Sequence, residues 1–295
     1  MKRSVLLLAH TGRSSATLAA RRAASRLQDA GVVVRMLAQE AEEIGLAGIE
    51  VCDGGPGSAA DAELVLVLGG DGSILRAAEL ARAAAVPLLG VNLGRVGFLA
   101  EMESADLDRT LERILDQDYG VEKRMTLDVD VVVDGKVVDH GWALNECSVE
   151  KAQRERMLEV VLEIDGRPLS RWGCDGVVVA TPTGSTAYAF SAGGPVVWPT
   201  VEALLVVPVS AHALFARPLV VGPASVVAVE VLPNGTSGVL ACDGRRTRAL
   251  PHGARVEVRR GRDPVLLARM QDQSFTDTLV GKFALPVEGW RGAAD

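Results

Sequence analysis

Leu64-Val65-Leu66-Val67-Leu68-Gly69-Gly70-Asp71-Gly72-Ser73 is the stretch on which the fold turns. Five apolar residues in a row, with no polar alternation, read as a strand buried on both faces, which is the habit of parallel strands covered by helices. The glycines after it allow a tight turn, and residues 73–85 carry a helical apolar spacing. Towards the N-terminus, 5–9 is a second apolar run, 14–30 is amphipathic and closes at Gly31, and 32–37 is apolar again. Towards the C-terminus, 87–91 is strand-like and 104–117 reads as a charged helix. This alternation predicts an α/β domain, a parallel sheet with covering helices, over residues 1–119.

Beyond residue 119 the apolar period changes to 2, as in Thr126-Leu127-Asp128-Val129-Asp130-Val131. Asp134-Gly135, Asp165-Gly166, Asn234-Gly235 and Asp243-Gly244 are hairpin signals, and 226–232, 239–242, 255–260 and 265–269 continue the strand pattern. A β-rich second domain is therefore expected over 120–270. Residues 271–295 form a tail, whose segment 275–290 fits neither pattern.

Composition narrows the function. The chain has 295 residues with 31 Lys plus Arg against 38 Asp plus Glu, a net charge of −7. That length supports two cores, and an acidic total lacks the positive field that nucleic-acid binding needs, so no nucleic-acid partner is expected. Cys52, Cys147, Cys174 and Cys242 stand apart without a C-x-x-C pair, and the four histidines do not cluster with them, so neither a disulfide framework nor a zinc site is signalled. The N-terminal apolar run is too short for a signal peptide or a span. The uncharged run 176–201 is long enough to span but is broken by Pro182, Pro195 and Pro199. A cytoplasmic protein that does not enter the membrane is expected.

Two common phosphate devices, G-x-G-x-x-G after a strand and G-x-x-x-x-G-K-[ST], are missing. Strand 64–68 runs instead into Gly69-Gly70-Asp71-Gly72, whose amides could approach phosphate oxygens at a helix N-terminus, with Asp71 at the carboxyl end of a strand where open α/β sheets bind ligands. An Asp capping a glycine turn explains the same residues. Asp175-Gly176 leads to Thr181-Pro182-Thr183-Gly184-Ser185-Thr186-Ala187-Tyr188, Ser191 and Gly193-Gly194-Pro195. Hydroxyls suit an amide or adenine edge and Tyr188 offers a stacking face, although a polar turn has similar composition. Asn145-Glu146 could serve a ribose diol or a local turn. On residues alone, Asp243-Gly244-Arg245 is an ordinary turn, Phe98 reads as core, and His212 reads as structural.

Taken in this order, the motifs resemble those of the NAD kinases. Thr181 to Tyr188 is the most distinctive piece, whereas Gly-Gly-Asp-Gly also occurs in diacylglycerol, sphingosine and 6-phosphofructokinase relatives. The resemblance implies an α/β N-terminal domain, a β-rich C-terminal domain and a tail that returns to the first. It implies phosphorylation of the 2′-hydroxyl of the adenosine ribose of NAD, with ATP or polyphosphate as donor and Mg²⁺ on the donor rather than on protein ligands. Asp71 carries over as the group that takes or orients the hydroxyl proton, with Gly69, Gly70 and Gly72 beside the phosphates. Asn145, Glu146, Asp175, Thr186, Ala187 and Tyr188 carry over to dinucleotide binding, with Arg76, Arg156, Ser191 and Arg245 as further contacts.

Some positions depart from the common family pattern. Ser73 stands where Thr is usual, and Val209-Ser210 replaces a more polar pair, which makes Ser210 a candidate contact. Gly173 stands where some NAD-restricted members carry a basic residue, and the resemblance thus implies that NADH is accepted as well. A homodimer or homotetramer joined through the β domain is implied too. The alternatives are a lipid kinase sharing only the Gly-Gly-Asp-Gly turn, and a non-catalytic NAD-binding regulator.

Overall fold

The computed structural model describes residues 2–93, 97–100, 102–103, 107–270 and 274–287. In chain order the elements begin with β1 (Ser4–Ala9), α1 (Ser14–Asp29), β2 (Val33–Leu37), α2 (Ala38–Ile44), β3 (Glu50–Cys52), β4 (Leu64–Leu68) and α3 (Asp71–Ala81). They continue with β5 (Leu88–Asn92), β6 (Met102–Glu103), α4 (Leu107–Asp116), β7 (Gly120–Arg124), β8 (Leu127–Val133), β9 (Lys136–Ala143) and β10 (Glu146–Lys151). Next come β11 (Leu158–Ile164), β12 (Arg167–Cys174), β13 (Gly176–Ala180), α5 (Tyr188–Ser191), β14 (Leu204–Val209), β15 (Leu219–Val221) and β16 (Val227–Val231). The last are β17 (Gly238–Cys242), β18 (Arg246–Leu250), β19 (Arg255–Arg260), β20 (Val265–Arg269) and α6 (Phe275–Phe283). Two compact units result, Met1–Lys123 with Val265–Asp295, and Arg124–Pro264.

The first unit is built on one sheet, ordered β3-β2-β1-β4-β5-β20-β7, with β6 beside β5. β1 and β4 run parallel from Val5↔Leu64 to Ala9↔Leu68, and every residue of both is buried. A strand of this kind has no solvated face, which is why 64–68 shows no polar alternation. α1 lies against the sheet through Ala16, Ala20, Ala23, Ala24 and Leu27, small residues that let helix and strands approach closely. It ends where Gly31 takes φ +78°, a conformation that favours glycine. The helix expected at 104–117 is present as α4, its first three expected residues lying outside the described ones.

Residues 265–269 correct the sequence reading. They pattern as a strand of the β-rich domain, yet β20 pairs parallel to β5 at Leu267↔Leu88 and belongs to the first unit. Val265, Leu267 and Ala268 are buried there, so these apolar residues complete the parallel sheet. The tail also belongs to this unit, and α6 sets Phe275 and Phe283 against the ring of Phe98. Trp290 lies outside the described residues.

The second unit is a pair of six-stranded antiparallel sheets, β15-β14-β13-β10-β17-β18 and β12-β11-β16-β19-β8-β9. Both contribute to one core, Val129, Val160, Val229 and Val256 from one sheet and Val149, Val177, Val179 and Leu240 from the other. Strand alternation gives β13 a second use: Val178 and Ala180 point the opposite way and pack with Leu205, Val207 and Ala189. Asp134-Gly135, Asp165-Gly166 and Asp243-Gly244 each have both φ values positive and close the hairpins β8–β9, β11–β12 and β17–β18.

Asn234-Gly235 does not close a hairpin. It joins β16 to β17, which lie in different sheets, and Gly235 has no positive φ. A Cβ there would stand 2.8 Å from the Glu159 nitrogen, so this glycine serves a close pass over β11 rather than a turn.

Leu66 at the middle of β4 is fully buried, so Leu66→Ala leaves a cavity between sheet and helices. It is expected to cost about 2–5 kcal/mol in urea unfolding, and a loss under about 1 kcal/mol would contradict the packing described.

Candidate active site

In the first unit, β4 ends at Leu68 and the chain turns through Gly69 and Gly70 into α3. Gly70 is the N-cap residue of α3 and no side chain caps it. Asp71 therefore does not play the capping role that a glycine turn would allow. Its carboxylate leaves the helix instead: Oδ2 accepts the Phe98 amide at 3.0 Å and Oδ1 accepts the Leu99 amide at 3.0 Å. The approach is so close that a Cβ on Gly97 would sit 2.3 Å from Oδ1. Gly69 is needed for a similar reason, since a Cβ would meet the Ser73 hydroxyl at 2.4 Å.

Arg76 lies on the next turn of α3, and its Nη1 pairs with Glu40 Oε1 at 2.6 Å. Glu40 is buried and its Oε2 also accepts the Ala9 amide at 2.9 Å, which ties the end of β1 to the arginine. Burial pushes the Glu40 carboxyl above its ordinary range, against the pull of that amide and of Arg76. The sequence motifs point to Arg76 but not to Glu40, because the two lie 36 residues apart.

The other candidate residues lie in the second unit. Asp243, at the tip of hairpin β17–β18, accepts the Leu144 amide at 3.0 Å on each oxygen and the Asn145 amide at 2.7 Å, and pairs with Arg246 at 2.6 Å. The Thr181 amide donates to the Asn145 carbonyl at 2.8 Å and the Thr181 hydroxyl to the Leu144 carbonyl at 2.6 Å. Gly184 presses so closely that a Cβ would sit 2.0 Å from the Asn145 oxygen. The loop 181–188 is thereby seated on 144–146, and the Tyr188 backbone bonds Glu146. Thr181, Gly184 and Asp243 hold this arrangement, and in the sequence only their membership of the motifs marks them.

Glu146 is buried, receives a backbone bond from Tyr188, and its Oε2 has no hydrogen-bond partner. Burial pushes its carboxyl up to about 8, the Asp243 charge acting in the same direction.

A second group gathers around the start of β13. Asp175 pairs with Lys151 at 2.5 Å, and that bond, with help from the Ser210 hydroxyl and nearby His212, holds its carboxyl below the usual range. The His212 amide donates to the Gly173 carbonyl at 2.8 Å, and the Trp172 indole N–H to the Phe215 carbonyl at 2.9 Å. Ser210, at φ +49°, turns the chain there. His212 is exposed and close to Asp175. Arg156, Ser191 and Arg245 lie on the exposed surface of this unit. Among the described residues, no group of three or more His, Cys, Asp and Glu could hold a metal ion.

Residues 5–119 match the ATP-NAD kinase N-terminal domain and residues 144–270 the ATP-NAD kinase C-terminal domain. The NAD kinase of Thermobifida fusca strain YX is 63% identical over 301 residues, covering 99% of this chain and 92% of that protein. The chain belongs to the ATP-NAD kinase family.

NAD kinase 2 of Streptomyces coelicolor is 62% identical, covering 99% of this chain and 97% of that protein. The fold is shared with a yeast NADH kinase solved with NADH, at TM-score 0.89 and 21% identity, over 99% of this chain and 90% of that one. It is shared as well with an NAD kinase from Archaeoglobus fulgidus solved with ATP, at TM-score 0.72 and 24% identity, over 96% and 99% of the two chains. Neither the lipid-kinase nor the non-catalytic alternative gains support from these matches, which span both units of this family member.

With its carboxyl raised from 4.5 to about 8, Glu146 in the folded protein keeps a proton that the unfolded chain releases between those values. Stability therefore falls as pH rises across that window. Glu146→Gln, neutral at every pH, lacks this component. The melting temperature of the wild type relative to Glu146→Gln is expected to drop by several degrees from about pH 5.5 to about pH 8, and a pH-independent difference would contradict the assignment.

Proposed function

We propose that this chain transfers the terminal phosphoryl group of ATP to the 2′-hydroxyl of the adenosine ribose of NAD, producing NADP. The observation that carries the reading is the 63% identity over 99% of the chain to a protein named NAD kinase. The ribose O2′ attacks the terminal phosphorus, its proton passes to the Asp71 carboxylate, and the bond from that phosphorus to ADP breaks. Catalysis of this kind is mostly positioning and charge neutralisation. The amides of the 69–72 turn and the α3 N-terminus supply part of the neutralisation. Arg76 keeps donors beyond the one Glu40 takes and suits a donor phosphate. Mg²⁺ on the donor would add the rest of the charge. It binds well through substrate phosphates and water.

Asn145 and the acid form of Glu146, with its Oε2 aimed at no protein group, suit the hydroxyls of a ribose, and Tyr188 suits a base. Asp175, Thr186, Ala187 and Ser210 complete the proposed dinucleotide contacts, with Arg156, Ser191 and Arg245 at the exposed margin. A glycine turn does not read a base, so polyphosphate can serve as donor. Exposed apolar side chains of the second unit, including Trp198, Leu214, Phe215 and Val220, suit a contact between copies in a homodimer or homotetramer. Among the described residues no helix is long and apolar enough to cross a membrane, and all four cysteines are free thiols, which suits the cytoplasm.

Initial rates with ATP, Mg²⁺ and NAD test the roles. Asp71→Asn is expected to lower turnover by roughly 10²-fold or more while the KM for NAD stays within several-fold. Tyr188→Ala and Asn145→Ala should raise that KM instead. Near-wild-type turnover in Asp71→Asn removes Asp71 from the chemistry.

Gly173 bears on the reduced cofactor. Its φ is not in the left-handed region, and an added Cβ would meet only the flexible end of Met157, at 2.8 Å from Cε. With no side chain there to read the nicotinamide ring, the kcat/KM values for NAD and NADH are expected within about tenfold of each other. Gly173→Arg should widen the ratio without loss of melting temperature, and strong rejection of NADH by the wild type would move selectivity to another contact.

A further inference from the structure

We infer that the C-terminal helix α6 sets the orientation of Asp71 through the ring of Phe98. The inference rests on the reading of Asp71 as the proton acceptor. Both oxygens of that carboxylate are bonded to consecutive amides, Phe98 to Oδ2 and Leu99 to Oδ1, each at 3.0 Å. Each oxygen keeps a second lone pair for an incoming hydroxyl, so the amides do not block the group but fix its plane and direction. Direction matters, because a displacement of about 1 Å at a reacting group can cost as much as 10²-fold in rate. Gly97 enforces the fit, since any Cβ would strike Oδ1. The orientation of Asp71 is therefore the placement of the 97–99 backbone.

Two side chains hold that backbone. Leu99 is buried in the first unit, whereas the Phe98 ring faces α6. Phe98 lies 6.3 Å from Phe275 at an interplanar angle of 44°, and 5.9 Å from Phe283 at 47°, so the two ends of the helix grip it in the tilted geometry aromatic pairs favour. The Lys282 ammonium stands 5.9 Å above the same ring. Phe98 is thus a tail contact rather than part of the central core expected from the sequence.

α6 is itself closed at its N-terminus by a reciprocal cap between Ser274 and Asp277, yet none of its residues is buried. A helix attached at its edge undocks more easily than one in a core. When α6 leaves, Phe98 loses its ring partners, the two amides are free to shift, and the carboxylate loses its alignment. Phe98, Phe275 and Phe283 are not among the residues proposed to bind the dinucleotide, so the effect falls on kcat rather than on the KM for NAD. Phe275, Phe283 and Phe98 are on this account positioning residues.

The test is a set of initial-rate measurements at saturating ATP and NAD on the full chain, with Phe283→Ala, Phe283→Leu and Phe283→Tyr each made in the wild type and in Asp71→Asn. Expected is a fall in kcat of about tenfold for Phe283→Ala, a smaller fall for Phe283→Leu, and near-wild-type kcat for Phe283→Tyr, with the KM for NAD within about twofold throughout. In Asp71→Asn the Phe283→Ala effect should shrink below about twofold, because the group it acts through is gone. Equal factors in both backgrounds, or an unchanged kcat in Phe283→Ala, would overturn the inference. Should Phe283→Ala lower the melting temperature into the assay range, Phe283→Leu and Phe275→Leu carry the same comparison. If Asp71→Asn keeps near-wild-type turnover, the proton-acceptor reading fails first; if it is crippled while the Phe283 variants are not, the role of the tail fails alone.

Discussion

The carboxylate of Asp243 takes the amides of two consecutive residues, Leu144 and Asn145, and the candidate site of the second unit depends on that clasp. A buried carboxylate is costly unless backbone donors and a cation meet it, and here two amides and Arg246 do so. In return the corner between β9 and β10 is fixed to the tip of hairpin β17–β18. The fixed corner presents the Leu144 and Asn145 carbonyls to Thr181, and with Thr181 comes the loop that carries Thr186, Ala187 and Tyr188. Glu146 lies in the same corner and is left with an oxygen that no protein group uses.

Asp71 in the first unit is held by the same device with a different outcome. Two consecutive amides, Phe98 and Leu99, receive it, but no arginine joins them among the described residues, and Asp71 is only half-buried. A carboxylate clasped and neutralised is a structural rivet; one clasped and left accessible can take a proton. The roles proposed for these two carboxylates thus differ, Asp243 being buried beside Arg246 and Asp71 half-buried with no arginine beside it among the described residues.

Much of this is legible in the chain. The uninterrupted apolar run of β4, the alanine face of α1 and three of the four Asx-Gly turns each state a local rule that the fold obeys. The strand pattern misplaces β20 because a short apolar run, Val265 to Ala268, suits either sheet, and pairing with β5, some 180 residues earlier in sequence, decides between them. Asn234-Gly235 misleads because the dipeptide signals a sharp turn and not whether the flanking strands share a sheet. In the site, the motifs name Asp71, Asn145, Glu146 and Tyr188, but their supporting groups are hidden. Glu40, Gly97 and Phe98 act through distant backbone or charge, and His212 gains its neighbour Asp175 only when β14 pairs with β13.

The identity of the product is the most direct test. Phosphorus NMR of the purified protein incubated with ATP, Mg²⁺ and NAD should show a phosphomonoester appearing on the adenosine ribose 2′-oxygen, in equimolar amount with ADP. A phosphoryl group on any other oxygen, or ATP consumed to ADP and free phosphate with NAD unchanged, would contradict the proposed transfer.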